Sequence, residues 1–395
     1  MRPRRTLIVL RTAKPRHPRR KSMDTTIERR GPRLWLSRLR SFLAAVAVLL
    51  AVGCSAEAGE LGPAARVAPI AALGSMLFLD RALSADGQVS CASCHQPERA
   101  YSDGLAHASG VAGQHGTRNT PSLLDVGRQR SLFWDGRRTR LEDQALDPLL
   151  NRVEHGLRDP AELLARLRSY TRYAVPVLLA YGIPMDQLSV PQVTEALAAF
   201  ERTLQSAPSP FDRFLAGQLD AMSQSARQGW VVFDQKVHCT RCHVVAGDGQ
   251  PALFTDHRFH SLTVGFSKVE RKLPELTKRL VTLRSERGAV GGDVLDDADI
   301  AALGRFVVTL DPHDVGAFKT PGLRNVARTG PYMHDGSVAT LVDAVDLELY
   351  ARGARDDRPP ILTPAERDDL VAFLQALTSN AAPGEGRTPC PPCVR

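Results

Sequence analysis

The sequence predicts a mainly α-helical protein that contains two related modules in tandem. A Thr-Pro-x-Leu-x-x-Val motif at 120–126 recurs at 320–326, and Trp134-Asp-Gly recurs as His334-Asp-Gly. Both recurrences have the same offset of 200 residues, which indicates an internal repeat. Patterns of alternating polar and apolar residues, typical of half-buried strands, are nearly absent. A chain of 395 residues also commonly divides into two domains.

Three segments show the spacing of amphipathic helices. Apolar residues recur every three or four positions in 162–168 and in 193–204. Pro364 occupies a favourable first helical position, and it predicts a last helix over 365–377 that ends before Ser379-Asn380. These helices lie between the repeated motifs, so the motifs themselves are expected in connecting segments.

The positive charge of the chain is concentrated at its N-terminus. The formal net charge is +8, but 14 of the 51 Lys and Arg residues lie in 1–40, beside two acidic residues. The remaining 37 basic and 41 acidic residues leave a net charge of −4. A nucleic-acid-binding function is therefore excluded, and a mildly acidic body is suited to a basic redox partner.

An export signal is predicted at 1–53. A basic region precedes an apolar run at 41–53, which is too short for a typical spanning helix and is typical of a secretory signal. The run ends at Cys54 and resembles a bacterial lipobox, although Ala51 stands where Leu is usual. We expect cleavage before Cys54, lipidation of Cys54 and a periplasmic location, with plain export or an uncleaved anchor as alternatives. Met1 and Met23 are both possible starts.

Four of the seven cysteines form two C-x-x-C-H motifs. Cys91 and Cys94 precede His95, and Cys239 and Cys242 precede His243. This pattern is typical of covalent haem c attachment, in which two thiols one turn apart add to the porphyrin vinyl groups. The adjoining histidine then binds the iron as its proximal ligand. We therefore expect two covalently bound haems.

Zinc binding and disulfide formation are the alternatives for these motifs. A zinc site requires further ligands nearby, but about 145 residues separate the two motifs. A disulfide within each motif leaves both histidines unexplained. The remaining pair, Cys390 and Cys393, lies in a tail at 381–395 of linker-like composition, for which a local disulfide is favoured over a redox or metal role.

Combining the repeat with the haem motifs predicts two cytochrome c-like domains. The first is expected at 54–215 and carries His95, and the second is expected at 216–380 and carries His243. A Pro-Ser-Pro segment at 208–210 lies near the predicted join.

At this point the sequence resembles the bacterial diheme cytochrome c peroxidases. The resemblance includes their MauG-like relatives, which oxidise residues of other proteins, and the methanobactin-associated diheme enzymes. It covers nearly all of 70–378. The motifs that carry it are Leu73-Gly-x-x-Leu-Phe-x-Asp-x-x-Leu-Ser84, the first C-x-x-C-H, Arg118–Pro121, Phe133–Arg137, Lys319–Val326 and Tyr332–Gly336.

The resemblance implies that the haem of His95 reacts with hydrogen peroxide. The family's distal pocket contains a Gln, a Pro and a Glu, which match Gln144, Pro148 and Glu154. A carboxylate above the iron can move a proton between the two peroxide oxygens, and an amide donor can orient them. Taken alone, Glu154 is more commonly a solvated acid at a helix end.

The resemblance also implies an electron relay and a calcium ion. Trp134 matches the aromatic residue that the family places between its haems, although core packing is the commoner role of a tryptophan. Calcium takes oxygen ligands, and the matching positions are the Asn119 side chain with the backbone carbonyls of Thr329 and Pro331. Asn119 is equally suited to stabilising a turn.

A first departure from the family concerns the iron of the His95 haem. Many of these peroxidases bind this iron through a second histidine, and Val111 occupies that position here. His107 and His115 are out of register and are expected on the surface of a Gly-rich loop. Unless one of them substitutes, the iron is open to peroxide without prior reduction.

A second departure concerns the sixth ligand of the His243 haem. Peroxidases usually supply a Met after the His-Asp-Gly motif, but no Met follows Met333. The protein-oxidising relatives place a Tyr before an Arg-Gly pair, which matches Tyr350 with a shift of two residues measured from His334. A phenolate favours high-valent iron, so both departures favour the MauG-like branch.

The resulting hypothesis is an exported diheme peroxidase that passes oxidising equivalents through the second haem. The electron source is a small redox protein, or residues of a partner protein, as in the MauG-like branch. The alternatives are an ordinary cytochrome c peroxidase with a small cytochrome or cupredoxin donor, and a non-catalytic diheme electron carrier. The resemblance also allows a homodimer, and membrane contact is expected only through the N-terminus.

Overall fold

The computed structural model describes residues 63–245, 250–287, 296–353 and 360–379. The predicted signal segment 1–53, Cys54 and the tail cysteines Cys390 and Cys393 lie outside the described residues. Within the described part of the chain, no helix combines the length and hydropathy needed to cross a bilayer.

The described residues are mainly helical, as the sequence predicts. The helices of the first half are α1 Pro63–Leu79, α2 Cys91–Cys94, α3 Leu141–Leu150, α4 Pro160–Ser169, α5 Ala174–Tyr181, α6 Val190–Glu201 and α7 Pro210–Leu215. Those of the second half are α8 Gln224–Val231, α9 Leu273–Arg287, α10 Ala298–Ala301, α11 Phe306–Thr309, α12 Leu341–Gly353 and α13 Pro364–Gln375. Two short strands, β1 Phe259–Ser261 and β2 Ala317–Lys319, pair antiparallel with Phe259 opposite Lys319.

Capping residues determine where the predicted helices begin. The Asp159 side chain accepts a hydrogen bond from the backbone N–H of Glu162 at the start of α4. Ser189 and Thr363 begin α6 and α13 with capping boxes, and each is followed by an early proline. The predicted segments 193–204 and 365–377 both extend past the observed ends of these helices, because apolar spacing continues into the final turns.

The two modules repeat the same helix crossing. In the first, Gly74 of α1 lies against α6 so closely that an added Cβ would approach the Ala196 carbonyl oxygen to 1.8 Å. In the second, a Cβ added to Gly229 of α8 would likewise approach the Asp369 carbonyl oxygen of α13 to 1.8 Å. A side chain at either glycine would separate the helices. The internal repeat predicted from the sequence is therefore confirmed in three dimensions.

Each module has its own hydrophobic core. One core contains Leu73, Phe78, Leu163 and Leu197, and the other contains Phe211, Phe233, Phe254 and Phe373. The domain boundary is predicted between 215 and 216, and Phe211, four residues earlier, already belongs to the second core. The boundary stays a prediction.

A third apolar cluster was not predicted from the sequence. Leu280, Ile300, Leu303 and Val307 are almost fully buried in a cluster formed by α9, α10 and α11. This subdomain lies between the second C-x-x-C-H motif and β2, and it has no counterpart among the repeated motifs.

Charged contacts join the two halves of the described chain. The Arg118 guanidinium contacts the Asp135 carboxylate at 2.6 Å and donates to the Ala301 carbonyl at 2.9 Å. Asp135 is fully buried, which raises its pKa, but the adjacent Arg118 and Arg137 outweigh burial and lower that pKa below its usual value. The interface therefore contains a buried carboxylate that stays ionised.

Candidate haem-binding active site

Both C-x-x-C-H motifs line one continuous cavity between the modules. Cys91 and Cys94 occupy the single turn of α2, which begins at a capping box between Ser90 and Ser93. Their thiols are not joined as a disulfide, so the disulfide alternative fails for this pair. The one-turn spacing leaves both sulfurs available to a planar group in the cavity.

His95 is held in the orientation that an iron ligand requires. Its Nδ1 lies 3.0 Å from the Tyr101 carbonyl oxygen, which retains the proton on Nδ1 and leaves Nε2 to bind a metal. Burial lowers the pKa of His95, with the Tyr101 and Pro121 backbone opposing, and the neutral ring is the form that binds iron.

The second motif repeats this geometry. His243 Nδ1 lies 2.9 Å from the Phe254 carbonyl oxygen, and Cys239 and Cys242 are likewise not joined as a disulfide. Two pairs of cysteines without disulfides, each beside an oriented histidine in a common cavity, fit two haem groups. The residues that would hold them are those predicted from the sequence.

A zinc site is supported less well than haem at the second motif. In the described residues one group could hold a metal ion, formed by Cys242, Asp256 and His260, with donor atoms within 4.8 Å of one another. This group omits Cys239, and His260 is already within 2.8 Å of Asp256. Zinc therefore leaves half of the motif unused, whereas haem attachment uses both thiols.

Gln144, Pro148 and Glu154 all line the cavity, as the resemblance implies. Burial raises the pKa of Glu154 to about 7, Arg137 opposes this shift, and Asp296 and Asp147 reinforce it. A carboxyl group with this pKa can both accept and return a proton near neutral pH.

Asn151 positions Glu154, and sequence reasoning missed it. The Asn151 amide donates to Glu154 Oε1 at 3.0 Å, while its Oδ1 accepts from the Val153 N–H at 2.8 Å. Gln144 Oε1 is buried and lacks a hydrogen-bond partner among the described residues. The carbonyl oxygen of the Gln144 side chain is therefore available to accept a hydrogen bond from a cavity ligand. In the sequence, Asn151 could have been noticed because it lies directly after α3 and three residues before Glu154.

The segment opposite the Glu154 loop approaches it closely. An added Cβ on Gly110 would lie 1.8 Å from the Val153 carbonyl oxygen. The Val111 N–H donates to the Glu154 carbonyl at 3.0 Å, and the Val111 side chain is buried. The backbone around Val111 therefore supports the loop that carries Glu154.

Neither nearby histidine lines the cavity. His115 is exposed, as expected, whereas His107 is half-buried and its Nε2 is buried without a partner in the described chain. The cavity wall at this loop is formed by Ala108, Gly110, Gly116 and Thr117. The expected surface position is therefore correct for His115 and wrong for His107, and neither is placed as a second ligand.

Trp134 is fixed between the halves of the described chain. Its indole Nε1 donates to the Asn119 carbonyl at 2.9 Å, and its own carbonyl accepts from the Lys319 N–H at 2.9 Å. Asn119, Thr329 and Pro331 line the same cavity, and the Asn119 amide donates to the Leu105 carbonyl at 2.9 Å. The electron relay and the calcium site stay predictions.

The structure does not bring Tyr350 to the cavity. Its side chain is 75% exposed, and it is absent from the described cavity wall. The physical reason is helical geometry, because α12 directs other residues of the same segment inward. Ligation by Tyr350 is therefore unsupported by this arrangement.

Glu201 is a further acid that sequence reasoning missed. It lines the cavity near Cys91, and its Oε2 is buried without a hydrogen-bond partner among the described residues. Burial raises the pKa of Glu201 to about 8, with Arg202 opposing, so the group is mostly protonated at neutral pH. The sequence feature that could have indicated a role for Glu201 is its position as an acid on the apolar face of α6.

Comparison with known proteins defines the class of this fold and site. A model of the di-haem cytochrome c peroxidases matches residues 68–220. The methylamine utilization protein MauG of Methylophilus methylotrophus is 34% identical over 318 residues, which cover 79% of this chain and 83% of that protein. The cytochrome-c peroxidase IdrP1 of Denitromonas iodatirespirans is 34% identical over 361 residues, or 86% and 93% of the two chains.

Solved structures agree with the sequence relatives. A MauG-like protein associated with microbial copper homeostasis has a TM-score of 0.63 at 30% identity, covering 80% of this chain and 91% of that one. The fold is therefore that of a two-haem peroxidase. The chain belongs to the di-haem cytochrome c peroxidase family. It is a peroxidase, so the electron-carrier alternative is not supported.

Proposed function

We propose that this peroxidase is exported, binds two covalent haem c groups and oxidises residues of a partner protein. Hydrogen peroxide reacts at the His95 site, and electrons reach that site from the partner by way of the His243 site. When bound, the two haems supply peroxide cleavage and the storage of two oxidising equivalents.

The observation that carries this proposal is the wall of the His95 site. Val111 stands where a blocking histidine would be, and His107 and His115 lie outside the cavity wall. An iron bound by His95 would therefore remain accessible to peroxide in the resting ferric protein. Relatives named as MauG support the same proposal, whereas relatives named as cytochrome-c peroxidase support the alternative donor.

The protein's own groups perform the proton chemistry. The Glu154 carboxylate takes a proton from the inner peroxide oxygen and returns it to the outer one, and its pKa near 7 makes both steps accessible. Asn151 holds this carboxylate in place at 3.0 Å. The Gln144 amide orients the peroxide, and the apolar Pro148 beside it limits the entry of water.

Trp134 is the proposed electron relay, and the charge of the chain indicates the kind of partner surface. Trp134 has both its indole N–H and its carbonyl bonded, so its ring is held rigidly for electron transfer. The mildly acidic body of the chain favours a basic partner surface. We also propose export to the periplasm, lipidation at Cys54, calcium binding near Asn119 and assembly as a homodimer.

Stoichiometric peroxide added to the diferric protein tests the proposed reaction. The expected result is a rapid change in the Soret bands of both haems without prior reduction. His107→Ala and His115→Ala should leave the resting spectrum of the His95 haem unchanged. No response to peroxide in the ferric protein, or a response only after partial reduction, would contradict the proposal.

A turnover assay with a reduced small cytochrome separates the two family functions. We expect slow turnover with this donor and faster consumption of peroxide with the natural partner, whose oxidised residues mass spectrometry would identify. Rapid turnover with reduced cytochrome, without partner protein, would instead establish an ordinary and constitutively open peroxidase.

A further inference from the structure

The helix crossings of the two modules align α6 with α13 residue by residue. A Cβ added to Gly74 would approach the Phe200 Cβ of α6 to 2.9 Å, and one added to Gly229 would approach the Phe373 Cβ of α13 to 2.8 Å. The two phenylalanines therefore occupy equivalent positions, and so do the residues that follow them along each helix.

The surroundings of the two haem-motif histidines support the same alignment. The ring centroids of Phe78 and His95 lie 6.5 Å apart with the rings tilted by 40°, and those of Phe233 and His243 lie 6.4 Å apart with a tilt of 43°. A difference between the two modules at an aligned position of the cavity wall therefore distinguishes two otherwise similar sites.

One such difference lies on the cavity face of these helices. In α13 this face presents Leu370 and Leu374 to the cavity, and in α6 it presents Leu197 and Glu201. The spacing of four places both side chains of each pair on one helix face. Because Phe200 aligns with Phe373, Glu201 aligns with Leu374, and an acid in the first module replaces a leucine of the second.

The Glu201 carboxyl is buried in this apolar wall. Its Oε2 has no hydrogen-bond partner among the described residues, and the adjacent Arg202 is bonded to Glu142 of α3 at 2.7 Å. Burial raises the pKa of Glu201 to about 8, with Arg202 opposing and Glu142 reinforcing. A buried carboxyl in these surroundings holds its proton until a positive charge appears nearby.

Glu201 acts electrostatically on the sulfur that would attach the first haem. Burial raises the pKa of the Cys91 thiol, and the charge of Glu201 is the next largest cause. A carboxylate close to a haem stabilises the oxidised, more positive iron, and the effect is larger in a cavity of low dielectric constant. At the aligned position of the second module, Leu374 cannot supply such a charge.

We propose that Glu201 couples oxidation of the haem bound by His95 to the release of one proton, an inference that rests on the two-haem function proposed above. One electron leaves the ferrous iron for a one-electron oxidant, and one proton leaves the Glu201 carboxyl for the solvent. The net charge of the site therefore stays constant. This compensation favours the oxidised form of the module that reacts with peroxide.

Other titratable groups face the same region of the cavity. Asp125, from the turn that precedes the segment packed on α6, lines the cavity and accepts a hydrogen bond from the Ser206 N–H at 3.1 Å. His155 Nε2 lies 3.9 Å from the Cys91 sulfur. α1 and α4 contribute apolar side chains to the core that they share with α6. All these groups remain in a Glu201→Gln variant, so its difference from the wild type isolates Glu201.

Redox titration of the holoprotein over a range of pH tests the proposal, with optical detection of the His95 haem. In the wild type, the equilibrium constant for oxidation should rise with pH by a factor approaching about ten per pH unit, the value for one proton released per electron. Glu201→Gln and Glu201→Leu should lose this component. The wild type and Glu201→Gln should converge as the pH is lowered, because both side chains are then neutral in both redox states.

Controls and a second readout accompany the titration. Glu195→Gln removes an exposed acid from the same helix and should follow the wild type. The His243 haem is an internal reference, whose pH dependence should be the same in all four proteins. Infrared difference spectra of oxidised minus reduced protein should show the loss of a protonated carboxyl band in the wild type, and this band should be missing from Glu201→Gln.

Two results would overturn the proposal at full haem content. One is an identical pH dependence of the His95 haem in the wild type and in both Glu201 variants. The other is a constant offset at every pH, which would show that the side chain acts through packing alone. A wild-type haem content below two per chain would instead contradict the proposed function itself, independently of these variants.

Discussion

We predict that the protonation of Glu154 determines how fast the protein reacts with peroxide. Because burial raises its pKa to about 7, the carboxylate is about 9% ionised at pH 6, half ionised at pH 7 and about 91% ionised at pH 8. The ionised form accepts the peroxide proton. The second-order rate constant should therefore rise roughly tenfold between pH 6 and pH 8 and then level off.

Removing the Glu154 carboxylate measures how much it contributes to the rate of the reaction with peroxide. A positioned general acid–base group contributes about 10²–10⁴-fold. Glu154→Gln keeps the shape of the side chain, and we expect it to slow the reaction at pH 8 by at least about 10²-fold. Its residual rate should be independent of pH between 6 and 8. Stopped-flow absorbance of the His95 haem after mixing with peroxide measures both quantities.

Controls separate proton transfer from local charge. Asp143→Asn removes an exposed acid from the same helix as Gln144 and should leave the pH profile unchanged. Asn151→Ala removes the hydrogen bond to Glu154 Oε1 and should slow the reaction by a smaller factor than Glu154→Gln. A Glu154→Gln variant that keeps the wild-type rate and pH profile would refute this role.

Three further predictions concern stability and electron transfer. Glu201 has its folded-state pKa raised from 4.5 to about 8, so the stability it contributes is lost as pH rises between these values. The Glu201→Gln variant should therefore be more stable than the wild type, by of order 4 kcal/mol at pH 8 and far less at pH 5, as measured by thermal denaturation. Gly110→Ala should destabilise the protein by about 1–3 kcal/mol in urea unfolding, because its Cβ meets the Val153 carbonyl. It should also slow the peroxide reaction. Trp134→Phe should slow electron transfer to the His95 site while leaving the initial reaction with peroxide unchanged. Double-mixing stopped-flow with a reduced donor distinguishes the two steps, and equal slowing of both would contradict the relay.

Local chemistry determined much of what could be predicted from the sequence. The two C-x-x-C-H motifs, the repeat and the main helices are encoded by short-range spacing and by caps such as Asp159 and Thr363. The distal residues Gln144 and Glu154 could be placed in a cavity through family resemblance alone. Asn151 and Glu201 could not, because their roles depend on contacts and burial that form only in the folded chain.

The sequence by itself determined the class of this protein, because the two C-x-x-C-H motifs and the other family motifs are recognised by residue types at fixed spacing. The tertiary structure decided which side chains face the cavity. It raised the pKa of Glu154 to about 7 by burial, left His107 and His115 outside the cavity wall, and turned Glu348 inward while exposing Tyr350. A shift of two residues is small in an alignment, but on a helix it reverses the direction of a side chain. Only the packing of α12 against the second core could determine that Tyr350 is exposed.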